Sequence, residues 1–171
     1  MRLLDRKGFT LVELIVTVTI IGVLATIAVP SMIGVMPRIR LGNRATTLAN
    51  EIASTRMQAI ATSNEFRIVF DPAGETYTLQ KLIGATWTSF GTTTLGETDL
   101  VSASGFDVAD TLTLSPNGAA SVPLGGQAVI FLQTTPVPPA TQGDFQRQLL
   151  VEATGRVIVQ KRTIGGSWTT E

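Results

Sequence analysis

The chain of 171 residues carries thirteen basic and thirteen acidic side chains, and it contains neither cysteine nor histidine. The length suits one globular domain beside a membrane segment, and the zero net charge predicts no general affinity for nucleic acid. Without histidine and cysteine the chain lacks the groups used in Ser-His and Cys-His catalysis and the commonest transition-metal ligands, so we expect no enzymatic activity, no cofactor and no metal site.

The N-terminal part of the chain is an apolar run that follows a short basic segment. No charged side chain occurs from Leu14 to Pro37, and a helix of that length would span about 36 Å, which exceeds the roughly 30 Å hydrocarbon core of a bilayer. Arg2, Arg6 and Lys7 precede the run, and such residues keep the preceding end in the cytoplasm. We predict a single membrane span, a cytoplasmic N-terminus and an extracytoplasmic C-terminal domain.

Two other classes of N-terminal segment fit part of this pattern. A secretory signal peptide has an apolar core of about 7 to 15 residues, which is shorter than this run, and its cleavage site would have to fall between Ala28 and Gly34. A plain membrane anchor fits the length but does not explain Glu13, because a carboxylate one turn into lipid costs a few kcal/mol unless it is paired or functional. Glu13 is therefore a candidate functional residue.

The segment from Lys7 to Leu14, Lys-Gly-Phe-Thr-Leu-Val-Glu-Leu, resembles the processing signal of type IV pilins and type II secretion pseudopilins. The resemblance implies that residues 1–8 are a leader peptide, that a prepilin peptidase cleaves between Gly8 and Phe9, and that the new amine of Phe9 is methylated. It also implies that Glu13 acts in assembly by pairing with the N-terminal ammonium of a neighbouring subunit, which supplies the cation that a buried carboxylate requires.

The same resemblance implies a set of partners for the protein. These are other pilin-like or pseudopilin subunits, a prepilin peptidase and methyltransferase, inner-membrane lipid, and a secretion or pilus assembly platform. In such a protein the mature chain is assembled into a pilus-like filament from the inner membrane.

The helix is expected to continue beyond the membrane and to become amphipathic. Pro30 and Pro37 predict kinks, because each proline removes a backbone hydrogen bond and clashes with the preceding turn. Beyond them, apolar residues recur at steps of three and four, which predicts an apolar stripe lying on the following domain. The stripe consists of two rows, Leu41, Ala45, Leu48, Ile52 and Ala59, and Ala49, Ala53, Met57 and Ile60.

Charged and polar residues are predicted to occupy the other face of this helix. Six residues form that set: Arg38, Arg40, Arg44, Asn50, Glu51 and Arg56. The first three arginines follow the membrane exit, where lipid headgroups or solvent are the ordinary environment and a nucleic-acid surface is the alternative.

From Phe66 onward the sequence alternates with a period of two, which predicts antiparallel strands. Residues 66–70, the turn Asp71-Pro72-Ala73-Gly74 and residues 75–82 predict a hairpin. Further strands are predicted at 85–90, 111–114, 119–124, 127–133, 146–152 and 156–162, tight turns at 115–118 and 165–166, and surface loops at 91–110 and 134–143.

The predicted fold is therefore α+β and pilin-like, with a long N-terminal helix packed on a C-terminal antiparallel β domain. We divide the chain into the leader (1–8), the membrane-spanning and assembly half of the helix (9–37), the amphipathic half (38–64) and the periplasmic β domain (65–171).

Three later segments resemble H-type minor pseudopilins and FimT minor pilins, the GspH/FimT branch. They are Ala45–Ser63, which contains Arg-Met-Gln-Ala-Ile-Ala from Arg56, then Asn64–Ile68, and Gly-Arg-Val from Gly155. The resemblance implies a minor, H-type pseudopilin subunit of a type II secretion pseudopilus that helps to drive protein export. The alternative is a FimT-like minor type IV pilin in pilus biogenesis or DNA uptake.

The strand predicted at 156–162 contains the candidate residues for the DNA binding that DNA uptake requires. The terminal hairpin of DNA-binding FimT proteins resembles Gly-Arg-x-Arg, whereas Ile158 stands here at the position of the second arginine. The candidate DNA-binding residues are Arg156, Lys161 and Arg162, and two or three phosphate contacts predict weak, salt-sensitive binding.

Overall fold

The structure is a computed structural model that describes residues 9–96, 98–123, 126–134, 146–162 and 166–171, with the side chains of 29–35 and 98–101 left aside. The chain divides into two compact units, Met1–Met36 and Pro37–Glu171. The described elements, in order, are α1 (Leu11–Thr62), β1 (Phe66–Asp71), β2 (Thr76–Ile83), β3 (Thr86–Thr94), β4 (Thr98–Ser104), β5 (Thr111–Leu114), β6 (Gln127–Thr134), β7 (Gln146–Glu152), β8 (Val157–Arg162) and β9 (Trp168–Thr170).

Helix α1 begins and ends with local signals in the sequence. The Thr10 hydroxyl accepts a hydrogen bond from the backbone N–H of Glu13 at 3.2 Å, which makes Thr10 the N-cap of the helix. At the other end, Ser63 adopts a positive φ of 50° and the helix stops. The helical pattern continues through Pro30 and Pro37, and the kinks at these residues stay predictions.

The second half of α1 uses one of the two predicted apolar rows for the core. Leu41, Ala45, Leu48, Ile52 and Ala59 are all fully buried, as predicted. The other row is wrong as a core prediction: Ala49 is half-buried, but Ala53, Met57 and Ile60 are exposed, Met57 by 63%. Buried Thr55 extends the first row and satisfies its hydroxyl by donating to the carbonyl of Glu51. The domain thus covers only a narrow stripe of the helix.

The strands form two antiparallel sheets. Sheet A has the order β3-β2-β1-β5, and sheet B has the order β4-β6-β7-β8-β9. The β1–β2 hairpin closes at the predicted turn, where an Asp71 carboxylate oxygen accepts hydrogen bonds from the N–H groups of Ala73 and Gly74. The turn at 115–118 is also confirmed by the hydrogen bond from the Gly118 N–H to the Ser115 carbonyl at 2.8 Å.

One hydrophobic core joins α1 to both sheets. Period-two alternation sends Phe66, Ile68 and Phe70 inward from β1, and the same rule buries alternate residues of β6 and β7. The inward residues of β6 and β7 are Ala128, Ile130, Leu132, Leu149 and Val151. The structure confirms the predicted α+β class, with a long N-terminal helix whose second half packs on an antiparallel β domain.

Three predictions for the β domain were wrong. Residues 91–110 are not a surface loop, since β3 extends to Thr94 and β4 occupies Thr98–Ser104. In the described part of the strand predicted at 119–124, residues 119–123 form only an isolated bridge at Ala120. The Ser121 N–H donates to the Thr113 carbonyl, but the Thr113 N–H donates to the Ser121 hydroxyl, so a side chain replaces one of the two backbone bonds between these residues. Strand β9 was not predicted at all. The predicted loop at 134–143 lies outside the described residues from 135 onward.

Candidate assembly site

The N-terminal segment of α1 presents apolar side chains in every direction. The window Leu11–Ala28 has a mean hydropathy of 2.4, and no part of it is buried within the described chain. Its 18 residues would rise about 27 Å, close to the roughly 30 Å of a bilayer core. Thr17, Thr19 and Thr26 donate their hydroxyl protons to carbonyls three or four residues earlier, so the span exposes no hydroxyl donor that lacks a partner.

Glu13 is the acidic residue of the first helical turn and is exposed. Thr10 and Glu13 have the spacing of a capping box, and the Thr10 hydroxyl does accept from the Glu13 N–H. A negative charge at this position also interacts favourably with the helix dipole. Glu13 therefore has a local role in starting the helix, and the Thr-x-x-Glu pattern could have revealed this role in the sequence.

The predicted processing site lies immediately before this turn. Phe9 is 81% exposed, while Gly8 and the rest of residues 1–8 are outside the described part of the chain. The accessible backbone at Phe9 is compatible with a cut on its N-terminal side, and that cut stays a prediction.

The outward face of the second half of α1 is uncharged from Thr46 to Ala61. Its exposed side chains are Thr46, Thr47, Asn50, Ala53, Ser54, Met57, Gln58, Ile60 and Ala61. A helix face that only meets water usually carries charged residues. The two charged residues of this stretch, Glu51 and Arg56, are half-buried, so the prediction that they lie on the solvent face was wrong.

Arg56 fastens the helix to turns from both sheets. Its Nε donates to the carbonyl oxygen of Gly118, after β5, at 2.8 Å. Gly155, in the β7–β8 turn, has a φ of 77°, and a Cβ there would lie 2.6 Å from both Arg56 Nε and the Gly118 oxygen. Two segments that carry the GspH/FimT resemblance, one around Arg56 and one at Gly155, thus meet in space.

Glu51 is held by the single tyrosine of the protein. Tyr77 is 1% exposed, and its hydroxyl is hydrogen-bonded to Glu51. Burial, followed by the hydrogen bond and the negative charge of Glu51, raises the pKa of Tyr77 from 10.0 to about 12, against smaller opposing effects of Thr93 and Arg44. The neutral phenol is therefore the stable form over the whole ordinary pH range.

The candidate DNA-binding residues do not gather on one surface. Arg156 is exposed in the turn before β8, and Arg162 is exposed at the end of β8, about 20 Å away along an extended strand. Arg162 also donates to the side-chain oxygen of Gln146 at 2.6 Å. Lys161 is half-buried on the face that carries Val157 and Val159, as the alternation predicted.

A buried arginine in β7 was missed. Arg147 is 5% exposed and forms a salt bridge with Glu171, with 3.1 Å between the nitrogen and oxygen. It alternates with Leu149 and Val151 along β7, and it lies directly opposite Lys161 in the register of β7 and β8. The period-two pattern already placed Arg147 on the inward face, so the signal was present.

A known sequence motif and a known fimbrial protein are similar to this chain. The prokaryotic N-terminal methylation motif matches residues 4–29. Fimbrial protein Q of Moraxella bovis is 29% identical over 164 residues, covering 96% of this chain and 84% of that protein.

Two solved structures share the fold of this protein. The minor pseudopilin EpsH of the type 2 secretion system of Vibrio cholerae superposes with a TM-score of 0.54 at 13% identity, over 77% of this chain and 96% of EpsH. The type IV minor pilin FimU of Pseudomonas aeruginosa superposes with a TM-score of 0.55 at 13% identity, over 78% of this chain and 94% of FimU. With its methylation motif, its apolar N-terminal helix and its two-sheet β domain, the chain is similar in its N-terminal sequence and in its fold to type IV pilin-like proteins.

Proposed function

We propose that this protein is a minor subunit of the type II secretion pseudopilus, in the H-type position, and that it assembles through α1. The observation that carries the proposal is the span Leu11–Ala28, which is apolar on all sides and unburied among the described residues while carrying Glu13 in its first turn. Such a segment requires lipid before assembly and other apolar helices afterwards. The role of the protein is structural, and packing between subunits stabilises the assembly.

Processing at the N-terminus prepares the subunit for assembly. We propose that residues 1–8 are removed between Gly8 and Phe9 and that the Phe9 amine is then methylated. A glycine before the cut allows the peptidase to approach an extended backbone without meeting a Cβ. We expect the mature protein to begin at Phe9 by mass spectrometry and Gly8→Val to stay unprocessed; a mature N-terminus at another residue contradicts this step.

Glu13 is proposed to pair with the N-terminal ammonium of a neighbouring subunit. Because Glu13 also lies in a capping box, the charge must be tested separately from the cap. Glu13→Gln retains the size and removes the charge, so we expect it to reduce incorporation into filaments by about tenfold or more, comparable to Glu13→Ala, with the unfolding of the β domain unchanged. Thr17→Ala, one turn later, is the matched control. Wild-type incorporation of Glu13→Gln would rule out the charge pair.

The uncharged outward face at residues 46–61 extends the same assembly surface beyond the membrane. Small residues such as Ala53 and Ser54 permit another helix to approach closely. We propose that this face packs against neighbouring subunits in the filament. Ala53→Glu should lower incorporation, while Gln80→Glu, at a half-buried position on sheet A, should not.

A minor type IV pilin is the second candidate, favoured by the likeness to FimU and by the sequence relative that is a fimbrial protein. Deletion of the gene in its host separates the two candidates. Loss of exoprotein secretion with intact pili supports the pseudopilin, whereas loss of pili with intact secretion supports the pilin. Complementation with the wild-type gene is the control in both cases.

DNA uptake is the specialised form of the second candidate. Since Arg156 and Arg162 are far apart and Arg162 is bonded to Gln146, we expect little affinity at about 150 mM salt, where the Debye length is near 8 Å. A fluorescence titration with the full-length protein in detergent measures this. Sub-micromolar binding that is lost in Arg156→Ala and Arg162→Ala would favour the DNA-uptake pilin.

A further inference from the structure

The free edge of sheet A is long and unprotected. Strand β3 pairs with β2 on one side, and no strand pairs with its other side among the described residues. Its nine residues, Thr86–Thr94, include neither a charged residue nor a proline. Natural sheet edges are usually protected against pairing by charges, prolines, short length or a covering segment. A bulge is a further kind of edge protection, and β3 has one at Phe90, where the register with β2 shifts.

A small apolar cavity of about 220 Å³ opens beside this edge. It is lined by Gln58 and Thr62 from the end of α1 and by Phe66, Lys81, Ile83, Thr88 and Phe90 from the first three strands. Phe66 and Phe90 meet edge to face at 5.7 Å between ring centres, while Ile83 and Phe90 remain 59% and 49% exposed. Two large apolar side chains thus frame the opening without being covered.

The size of the cavity fits one side chain. Sites for drug-sized ligands measure about 300–1,000 Å³, whereas an apolar cavity of about 150 Å³ holds a benzene ring. A cavity of 220 Å³ between these limits suits one phenylalanine or leucine side chain of a partner.

Lys81 sets the charge of the opening. Its ammonium lies 5.6 Å from the centre of the Phe66 ring, and no ion pair of Lys81 occurs among the described residues. Lys81 is half-exposed, so a partner carboxylate can reach it from solvent. The cavity therefore favours a partner with an acidic group next to its apolar side chain.

We propose that β3 and this cavity form a docking site for an extended segment of another protein. The segment adds a strand to β3, inserts one apolar side chain into the cavity beside Phe66 and Phe90, and places a carboxylate at Lys81. Strand addition of this kind takes its affinity from main-chain hydrogen bonds and its specificity from side-chain pockets. The site lies on the β domain and the end of α1, and its cavity shares Gln58 with the outward face of the helix.

The charge distribution favours a different protein over a second copy of this one. Two copies that paired through β3 would bring two Lys81 side chains to one interface, and β3 offers no carboxylate to either. Neither Lys81 would then gain a carboxylate partner. A partner segment that carries its own acid supplies one.

The test uses the full-length protein in detergent micelles and the heptapeptide Thr-Val-Thr-Phe-Thr-Glu-Thr-amide, which carries a fluorescent dye in place of an N-terminal acetyl group. Phenylalanine and glutamate two residues apart lie on one face of a strand, about 6.6 Å apart. We expect saturable binding with a Kd below about 1 mM by fluorescence anisotropy. Peptides with serine in place of phenylalanine, or with N-methylated amides at alternate positions, should bind at least about fivefold more weakly, because they lack the pocket residue or the main-chain donors.

Variants of the protein test the pocket and the charge separately. Lys81→Glu should weaken binding about tenfold, and a peptide with lysine in place of glutamate should recover it. Thr88→Trp should fill the cavity and also abolish binding, with thermal unfolding checked to show that the domain is intact. Lys161→Glu, a lysine reversal in sheet B, is the matched control and should bind like wild type.

The source of the carboxylate is distinguished by a second peptide, Ac-Thr-Val-Thr-Phe, which ends in a free acid. Preferential binding of this peptide supports a free carboxyl terminus as the natural partner, and preferential binding of the heptapeptide supports an internal segment. Binding that Lys81→Glu and Thr88→Trp leave unchanged overturns the assignment, as does the absence of binding to either peptide. Self-association of the wild type that Thr88→Trp abolishes, without peptide binding, overturns it in favour of a second copy.

Discussion

The two halves of α1 are built from similar apolar residues but bury them in different surroundings. In Leu11–Ala28 the apolar side chains point in all directions and none is buried by the part of the chain that the structure describes. Between Leu41 and Ala59 the apolar side chains of one stripe are fully buried in the core of the β domain. The difference shows that the two halves of α1 have different surroundings: the second half packs on the β domain, while the first half leaves its apolar side chains exposed among the described residues.

Because of this contrast, we expect only the second half of α1 to contribute to the stability of the β domain. The second half is joined to the domain by buried residues, by the Arg56 hydrogen bond to Gly118, and by the contact between Glu51 and Tyr77. The first half offers none of these contacts within the described residues. Substitutions in the second half of α1 should therefore change the free energy of unfolding of the β domain, and substitutions in the first half should not.

The largest effect on the free energy of unfolding is expected from Ile52→Ala, with Ile21→Ala as its matched control. Ile52 is fully buried and Ile21 is 59% exposed. Removing the Ile52 side chain leaves a cavity in the core and should lower the free energy of unfolding by about 4 kcal/mol, whereas Ile21→Ala should change it little. Denaturant unfolding of the full-length protein in micelles, followed by tryptophan fluorescence, measures both. Equal losses for the two variants would break the contrast between the halves.

A smaller loss of unfolding free energy is expected from Gly155→Ala, with Gly84→Ala as its matched control. Both glycines have positive φ, but a Cβ at Gly84 meets nothing within 4 Å, while a Cβ at Gly155 meets Arg56 and the Gly118 carbonyl. We expect about 1 kcal/mol for the backbone strain at Gly84 and about 3 kcal/mol at Gly155, where the Arg56 hydrogen bond is displaced as well. Similar losses at both sites would show that Arg56 does not fasten the helix.

The contact of Tyr77 with Glu51 predicts a loss of stability at high pH. In the folded state the pKa of Tyr77 is raised to about 12, so the folded protein keeps a proton that the unfolded protein releases near pH 10. The stabilisation is complete below pH 10 and falls by roughly 2 kcal/mol as the pH rises from 10 to 12. Tyr77→Phe should remove this part of the slope.

The single tyrosine makes the measurement direct. Absorbance of ionised phenol reports one group only, and the slope that remains in Tyr77→Phe accounts for the lysines that titrate in the same range. A phenol that ionises near pH 10 in the folded protein would contradict the prediction.

The smallest effect is expected at the start of the first half. Thr10→Ala removes the N-cap and should cost about 1 kcal/mol of helix initiation, which corresponds to about fivefold faster amide exchange at Glu13. The unfolding of the β domain should not change. Thr10→Ser, which keeps the hydroxyl, should exchange like wild type; a loss of β-domain stability in Thr10→Ala would mean that the two halves are coupled.

Much of the fold follows from local patterns that the sequence displays openly. The β1–β2 hairpin follows from the turn at Asp71, and strands β5 and β7 have the predicted bounds because their alternation is regular. Strand β4 escaped prediction because its register shifts between Leu100 and Ser102, and such a bulge interrupts the alternation by which a strand is recognised.

The contacts of α1 were harder to predict for a different reason. The spacing of apolar residues shows that a stripe is buried but does not fix how wide a strip the domain covers, so Met57 and Ile60 were assigned to the core. The partner of Arg56 is 62 residues away in the sequence, and nothing near Arg56 indicates it. For the N-terminal site, the methylation motif carries the prediction, while the capping role of Glu13 follows from its distance to Thr10.

The fastening of α1 by Arg56 also has a mechanical consequence. In the proposed filament, tension along α1 would pass into the β domain through the second half of this helix. The Arg56 bond to Gly118 and the buried side chains of Leu48 and Ile52 are then loaded in shear, all at once, rather than one after another. Sliding of the helix must break them together, so the domain should resist axial tension up to a sharp threshold instead of yielding gradually.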